Sequence, residues 1–432
     1  MSTPHTQNGV ERSHVDLISD CVHCGFCLPA CPTYNSWGDE MDSPRGRIDL
    51  MKGIQDGVIQ MDDTVVAHFD SCLGCMGCMT ACPSGVRYDL LIESTRAQIE
   101  TTYRRPAAET VFRKLIFGLF PYPERLRLAA LPLRFYVRTG LQGLIRRSGL
   151  LRLLPDRLAQ IDALAPPIAT EASLAGFYPA QTAAPRLRVA MVAGCVQRVF
   201  FPNVNEATIR VLTAEGCDVV VPKLQGCCGA LSLHSGRVDE AKGFAARLIS
   251  AFEGEKVDAI IINTAGCGSA LKEYGHLFAS DEAMRERAYA FVEKVRDINE
   301  FLAQLTPIAP RYPLKGRVAY HDACHLAHAQ GIRSQPRELL SSIPGLTLCE
   351  IPNGDQCCGS AGTYNLFEPE SSIEIGERKV DNVLSTHPDI LASANPGCTL
   401  QIQSLLRKRN IALRAAHPIE ILDASISRRE LA

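Results

Sequence analysis

Across residues 186–432 the chain alternates short unbroken apolar runs with longer segments whose apolar residues recur every three or four positions. RVAMVAG, DVVVP and VDAIIIN are rich in β-branched residues and bounded by turn formers, which predicts buried strands. NEATIRVLTAEG and DEAKGFAARLISAFEG carry the helical period. Strands alternating with helices predict an α/β fold around a largely parallel sheet. The N-terminal part has a different texture. SPRGRIDLMKGI starts on Ser43 and Pro44, DDTVVAHFDSC starts on Asp62 and Asp63, and LLIESTRAQIETTYRR follows. All three read as helices with their capping signals in place, so an all-helical module is expected there.

The α/β half repeats itself. RVAMVAGC, ending at Cys195, returns as RVAYHDAC, ending at Cys324. QGCCGAL, with Cys227 and Cys228, returns as DQCCGSA, with Cys357 and Cys358. DAIIINTAGC, ending at Cys267, returns as DILASANPGC, ending at Cys398. Spacings agree to within one residue, which marks a duplicated unit. Each of these cysteines follows a strand, and loops at the carboxyl ends of parallel strands are where such folds bind ligands. Each repeat therefore gathers four thiols at one end, a set suited to an iron–sulfur cluster or to one zinc ion; an empty, vestigial site is the third reading. Cys217 and Cys349 lie on strands and read as packing residues. His321, His325 and His328 cluster around Cys324, where they serve either as hydrogen-bonding groups or as a proton relay. The first repeat has Val192, Val196 and Val199 at those positions, so the fold of a repeat does not need them.

Composition adds constraints. The chain has 432 residues, enough for two or three domains, and a formal net charge of -2, which argues against a general nucleic-acid binder. Its 18 cysteines are the anomaly. No secretory leader is visible in MSTPHTQNGVERSHVD, so the thiols are expected to be reduced and to serve as ligands or redox groups. No apolar run reaches the length of a membrane span. Residues 111–157 carry ten Arg or Lys against two acids, interleaved with Leu, Ile and Phe and expected to break at Pro121, Pro123 and Pro132. Such a segment suits a membrane interface, a partner surface or ordinary packing. No GxGxxG follows a strand, so no flavin or dinucleotide site is expected in this chain.

The most specific signal is a paired motif. Cys21, Cys24, Cys27 and Cys31 follow C-x2-C-x2-C-x3-C-P, and so do Cys72, Cys75, Cys78 and Cys82. This is the spacing of bacterial two-cluster ferredoxins, in which the fourth cysteine of each block ligates the other cluster. That resemblance implies one [4Fe-4S] cluster on Cys21, Cys24, Cys27 and Cys82, and a second on Cys72, Cys75, Cys78 and Cys31. A pair of zinc sites is the bland alternative, but zinc favours separated CxxC pairs.

Two ferredoxin blocks followed by two CCG repeats resemble the iron–sulfur subunits of membrane-associated flavoprotein dehydrogenases. CVHCGFCLPACPTYNSWGDEMDSPRGRIDLMKG is most similar to the glycolate oxidase (glycolate dehydrogenase) iron–sulfur subunit. The subunits of D-lactate and anaerobic glycerol-3-phosphate dehydrogenases, and heterodisulfide reductase, are related. The resemblance implies an electron-transfer subunit without a catalytic residue of its own. FAD-containing dehydrogenase subunits would be its partners in a hetero-oligomer, and a membrane quinone its acceptor. It would sit in the cytoplasm, peripheral to the inner face of the cell membrane. The implied organisation is a polar arm (1–15), a helical ferredoxin domain (16–105), a basic amphipathic segment and linker (106–185), and CCG repeats at 186–312 and 313–432. The alternatives are a heterodisulfide-reductase-like catalytic subunit and a D-lactate dehydrogenase subunit. The first alternative meets a departure. In heterodisulfide reductase each repeat ends in CxxC, whereas Thr264 and Asn395 stand here where the first of those cysteines would be.

Overall fold

A computed structural model describes residues 6–7, 10–11, 14–139, 141–142, 148, 161–165 and 174–430. In the arm, β1 (Thr6–Gln7) and β2 (Val10–Glu11) pair antiparallel. Helices α1 (His14–Ser19), α2 (Pro32–Trp37), α3 (Pro44–Gln55), α4 (Asp63–Asp70), α5 (Gly77–Ala81) and α6 (Tyr88–Thr102) follow. The caps act as the sequence suggests: Ser43 accepts from the Gly46 N–H and Asp62 from the Val65 N–H. The core of this module is Ile48, Met51, Phe69, Leu91, Ile92 and their neighbours, with the cysteines at its edge.

Helices α7 (Ala107–Leu119) and α8 (Pro123–Arg138) form the described part of the basic segment. The chain breaks between them at Pro121 and Pro123, as expected. Pro132, expected to break it again, lies inside α8. It sits on an exposed turn, where the carbonyl that loses its N–H partner can turn to water. Residues 140, 143–147 and 149–157 of the segment lie outside the described residues. The stretch read as linker also holds structure, since β3 (Gly176–Tyr178) pairs antiparallel with β5 (Cys217–Val221). FY beside a Gly was too short a run to stand out as a strand.

The first sheet runs in the order β3, β5, β4 (Leu187–Val192), β6 (Ala259–Ile262), β7 (Val295–Asp297), and all but β3 are parallel. The second runs β11 (Arg414–Ala416), β10 (Ile390–Ser393), β8 (Gly316–His321), β9 (Leu346–Glu350), all parallel. Leaving out β3, which has no counterpart, the two sheets have the same order, so the duplication seen in the sequence is a duplicated topology. One apolar core spans both, including Val189, Met191, Val211, Val318, Tyr320 and Ile390. The helices Pro202–Ala214 and Pro418–Ile426 pack between the sheets, tied by Arg210 to the buried Asp423 at 2.8 Å. At the strand ends the repeats meet directly: the Ala265 N–H donates to the Ala394 carbonyl (3.1 Å) and the Gly266 N–H to Asn395 Oδ1 (3.3 Å). This junction points the cysteine loops of both repeats at one space.

Candidate metal centres

The two ferredoxin blocks form tight loops. Gly25 and Gly74 have positive φ (85° and 59°), and a side chain at Gly25 would strike the Arg45 guanidinium. The blocks interlock. Cys82, the last of the second block, lies close enough to raise the pKa of Cys21, after burial the main cause of that shift to act upward. Cys31, the last of the first block, lies among Cys72, Cys75 and Cys78. Burial pushes Cys27 up to about 11 and drives Cys75 and Cys78 well above the ordinary thiol value, with neighbouring thiols adding to each. Such crowded, dry thiols cannot ionise together unless a cation holds them. All 18 cysteines are free, so the residues present fit two four-thiolate clusters.

One cation is built in. Arg47, 1 % exposed, donates through Nη1 to the Asp42 carbonyl (2.6 Å) and through Nη2 to Asp42 Oδ1 (3.1 Å) and Ser71 Oγ (2.8 Å). Burial opposes ionisation of Cys72, yet Arg47 and Arg96 hold its thiol below the ordinary value. Gly74 N–H also points at Cys72 Sγ (3.4 Å). Positive charge and N–H donors beside ligand sulfurs favour the reduced cluster. Nothing in the local sequence singles out Arg47 as the buried one.

In the first repeat Cys195 Sγ and Cys227 Sγ are 3.6 Å apart. Cys228 takes hydrogen bonds from Cys227 and Cys267, which hold it well below the ordinary thiol value. In the second repeat Cys324 meets Cys357, Cys357 meets Cys358, and Cys358 meets Cys398. Each predicted set of four is thus brought together, and both sets line one cavity of about 310 Å³. The sets are not equivalent. His321, 1 % exposed, has both ring nitrogens without a partner, and its ligand atom lies with those of Cys358 and Cys398 within 4.8 Å of one another. Burial lowers its pKa to about 3, so the ring is neutral and can offer a lone pair. Lys379 is buried near Cys357 and Cys358, where the matching helix of the first repeat has Leu248. Asn395 Nδ2 donates to Cys398 Sγ (3.4 Å) while its Oδ1 accepts from Gly266. Cys217 and Cys349 are buried on β5 and β9, away from the cavity.

The other two histidines have different work. His328 accepts at Nδ1 from Thr80 (2.7 Å) and Arg333 (2.9 Å) and donates from Nε2 to the Asp355 carbonyl (2.9 Å). It joins the helical module to the second repeat. His325 places Nδ1 3.6 Å from Cys324 Sγ, has no partner for Nε2 among the described residues, and lies tilted against the His234 ring at 4.9 Å. His234 Nδ1 in turn lies 2.7 Å from Glu93 Oε1. His234, Glu93, Arg47 and Lys379 were not picked out from sequence, because each is an isolated residue that only tertiary packing brings to the thiols.

The helical module docks on both repeats. Arg96 donates to the His234 carbonyl (2.8 Å) and to that of Cys72, and Trp37 Nε1 donates to Glu374 (3.2 Å). Gly236 allows the approach, since a Cβ there would lie 2.3 Å from the Arg96 carbonyl oxygen. Leu73 and Cys75 pack with Cys324, Cys357 and Tyr364 in one cluster. The second ferredoxin block thus abuts the second repeat's thiols, whereas the first block faces outward, with Cys24 exposed and Val22 and Phe26 each 67 % exposed.

Comparison with known proteins agrees with this layout. Residues 17–86 match the family described as 4Fe-4S dicluster domain, and residues 189–272 and 318–403 each match the cysteine-rich domain. Residues 108–165 match the family described as glycolate oxidase iron-sulfur subunit, linker region. A probable glycolate oxidase iron-sulfur subunit of Bacillus subtilis is 40 % identical over 95 % of each chain. The glycolate oxidase iron-sulfur subunit of Escherichia coli is 32 % identical over 98 % of this chain and 97 % of its own. Lactate utilization protein A of an Exiguobacterium strain is 31 % identical over 55 % of this chain and 98 % of its own. Among solved structures, a hypothetical protein from Helicobacter pylori shares the fold at a TM-score of 0.52 and 9 % identity, over 88 % of this chain and 72 % of that one.

Proposed function

The chain belongs to the family of glycolate oxidase iron–sulfur subunits, and from that premise we propose how it carries electrons. It is an electron-transfer subunit of an oxidoreductase complex, holds iron–sulfur clusters, and assembles with a flavoprotein subunit. Each cluster, when bound, takes up and passes on a single electron. In our reading Cys21, Cys24, Cys27 and Cys82 hold the first cluster, and Cys72, Cys75, Cys78 and Cys31 the second. Residues 16–105 form the helical ferredoxin domain, and residues 186–312 and 313–432 the two CCG repeats. The partner's FAD oxidises a 2-hydroxy acid, glycolate by family, and its electrons enter at the exposed rim of Val22, Cys24 and Phe26. They leave for a membrane quinone, with the complex peripheral to the inner face of the cell membrane. Among the described residues no helix is long and apolar enough to cross a membrane.

The observation that carries this reading is the series of thiol sets. A half-buried set with Cys24 exposed leads to a more deeply buried one, and the second touches Cys324 and Cys357 through Cys75. The lactate relatives favour a second substrate reading, oxidation of lactate by the same relay. Disulfide cleavage of the heterodisulfide type is disfavoured, because Thr264 and Asn395 stand where the fifth cysteine of each repeat would be. The test is Cys24→Ser and Cys75→Ser in the assembled complex. Quinone reduction should fall at least 100-fold in each, while the partner's flavin is still bleached by substrate. Full quinone reduction in both variants would refute the relay.

A further inference from the structure

The floor of the 310 Å³ cavity is formed by thiols of both repeats, and its other end by Phe120, Leu133, Ile161, Leu164, Phe200 and Phe367. It is concave, mainly apolar, and of a volume at the low end of ligand sites. Asp70, Glu93, Arg96, Arg105 and Arg113 also line it, and two polar atoms lack partners among the described residues: His325 Nε2 and Ser360 Oγ are buried without a hydrogen bond. Buried polar atoms are normally satisfied, so a ligand with acceptor oxygens suits this end. On the outer face of the same segment, α8 carries Leu128, Leu131 and Phe135 at 69 %, 53 % and 67 % exposure, and α7 carries Val111 and Leu115 at 67 % and 61 %. Apolar residues this exposed on two adjoining helices mark a contact surface. The segment is also basic, as suits an anionic lipid surface.

A second cavity of about 60 Å³ adjoins the first. The two share Met76, Glu93, His234 and His325, and the smaller adds Asp89, Glu273 and His276. Carboxylates and imidazoles thus line the approach from the smaller cavity.

We propose that the cavity between the two CCG thiol sets binds an isoprenoid quinone, with the ring at Ser360 and His325 and the tail along Leu164 and Phe367. The inference deepens the relay reading and rests on it. Quinone plus two electrons and two protons gives quinol: both ring carbonyls become hydroxyls and the ring becomes aromatic. The electrons come from the 2-hydroxy acid oxidised at the partner's flavin. The protons come from solvent along Glu273, Glu93 and His234. Ser360 Oγ and His325 Nε2 supply hydrogen bonds that hold the carbonyls.

The test uses the assembled complex in detergent and a short-chain azido-ubiquinone. Reduction of the bound iron by the 2-hydroxy acid is first read in the wild-type complex by electron paramagnetic resonance; its absence would sink the relay reading itself. With that signal present, photolabelling should mark residues 195–235 or 357–368. Ser360→Ala and Leu164→Trp, each checked for unchanged iron content, should weaken binding of the unactivated probe about 3- to 10-fold. Labelling elsewhere, with wild-type binding in both variants, would overturn the quinone site and leave the relay standing.

Discussion

His321 is buried, without a partner for either ring nitrogen among the described residues, and beside Cys358 and Cys398. A buried group left unsatisfied costs about 1–3 kcal/mol, so the ring is either a metal ligand or a standing loss. Val192 fills the equivalent place in the first repeat, which makes His321→Val a conservative probe. Without metal the variant should unfold at the same temperature or higher, since the unsatisfied group is gone. With metal, the spectrum or metal content of the second repeat should change while that of the first does not. Wild-type metal content and spectra in the variant would show that the ring is no ligand. The sequence marks out His321, His325 and His328 as a group, yet it cannot tell their roles apart. His321 ends a strand, His325 and His328 lie on the helix that follows, and the three face thiols, cavity and ferredoxin module in turn. What each side chain faces depends on elements distant in the chain.

At the scale of elements, capping residues and strand runs were legible because their physics is local. Ser43, Asp62 and the parallel strands lie where the residue pattern puts them. The helix Pro418–Ile426 was harder, because its cap is a histidine. His417 Nδ1 accepts the Ile419 N–H at 3.0 Å, and Glu420 closes the box on the His417 N–H at 2.8 Å. An accepting Nδ1 requires a neutral ring, and burial lowers the His417 pKa to about 3. The unfolded chain binds a proton there below about pH 6.5, whereas the folded chain does not until about pH 3. Stability is therefore complete above pH 6.5 and falls as pH drops through that window, by about 1.4 kcal/mol per pH unit from this group. Asn also caps helices and does not titrate. In His417→Asn the stability lost between pH 7 and pH 5, measured by urea unfolding, should shrink by about 2 kcal/mol. An unchanged loss would mean that the ring is already charged in the fold. β3 and the unbroken α8 were not legible for a related reason. A three-residue edge strand takes its stability from β5, and Pro132 is tolerated only because its turn faces water.

For the whole molecule, the decisive feature is that the two repeats and the helical module close around one cavity. The sequence predicts the duplication and the two thiol sets but not their meeting, because the bonds that impose it, Ala265 to Ala394 and Thr80 to His328, join residues 129 and 248 positions apart. The arrangement bears on how many clusters the chain holds. The ferredoxin blocks alone account for about 8 iron, and each further cubane adds about 4. If the repeats held only structural metal, the contact of Cys75 with Cys324 and Cys357 would bring a redox centre against a site with no redox role. The buried Lys379 and His321 would likewise be spent on the second repeat for no electrochemical gain. We therefore expect about 12 or more iron per chain, with matching acid-labile sulfide, after anaerobic purification. Cys357→Ser should remove about 4 of them while Cys227→Ser leaves the second repeat filled. A chain with about 8 iron, with or without zinc, would confine electron flow to the ferredoxin module. The cavity would then lie beyond the last redox centre, and the quinone would have to be reduced from Cys75's side, past Leu73 and Gly74, which line the same space.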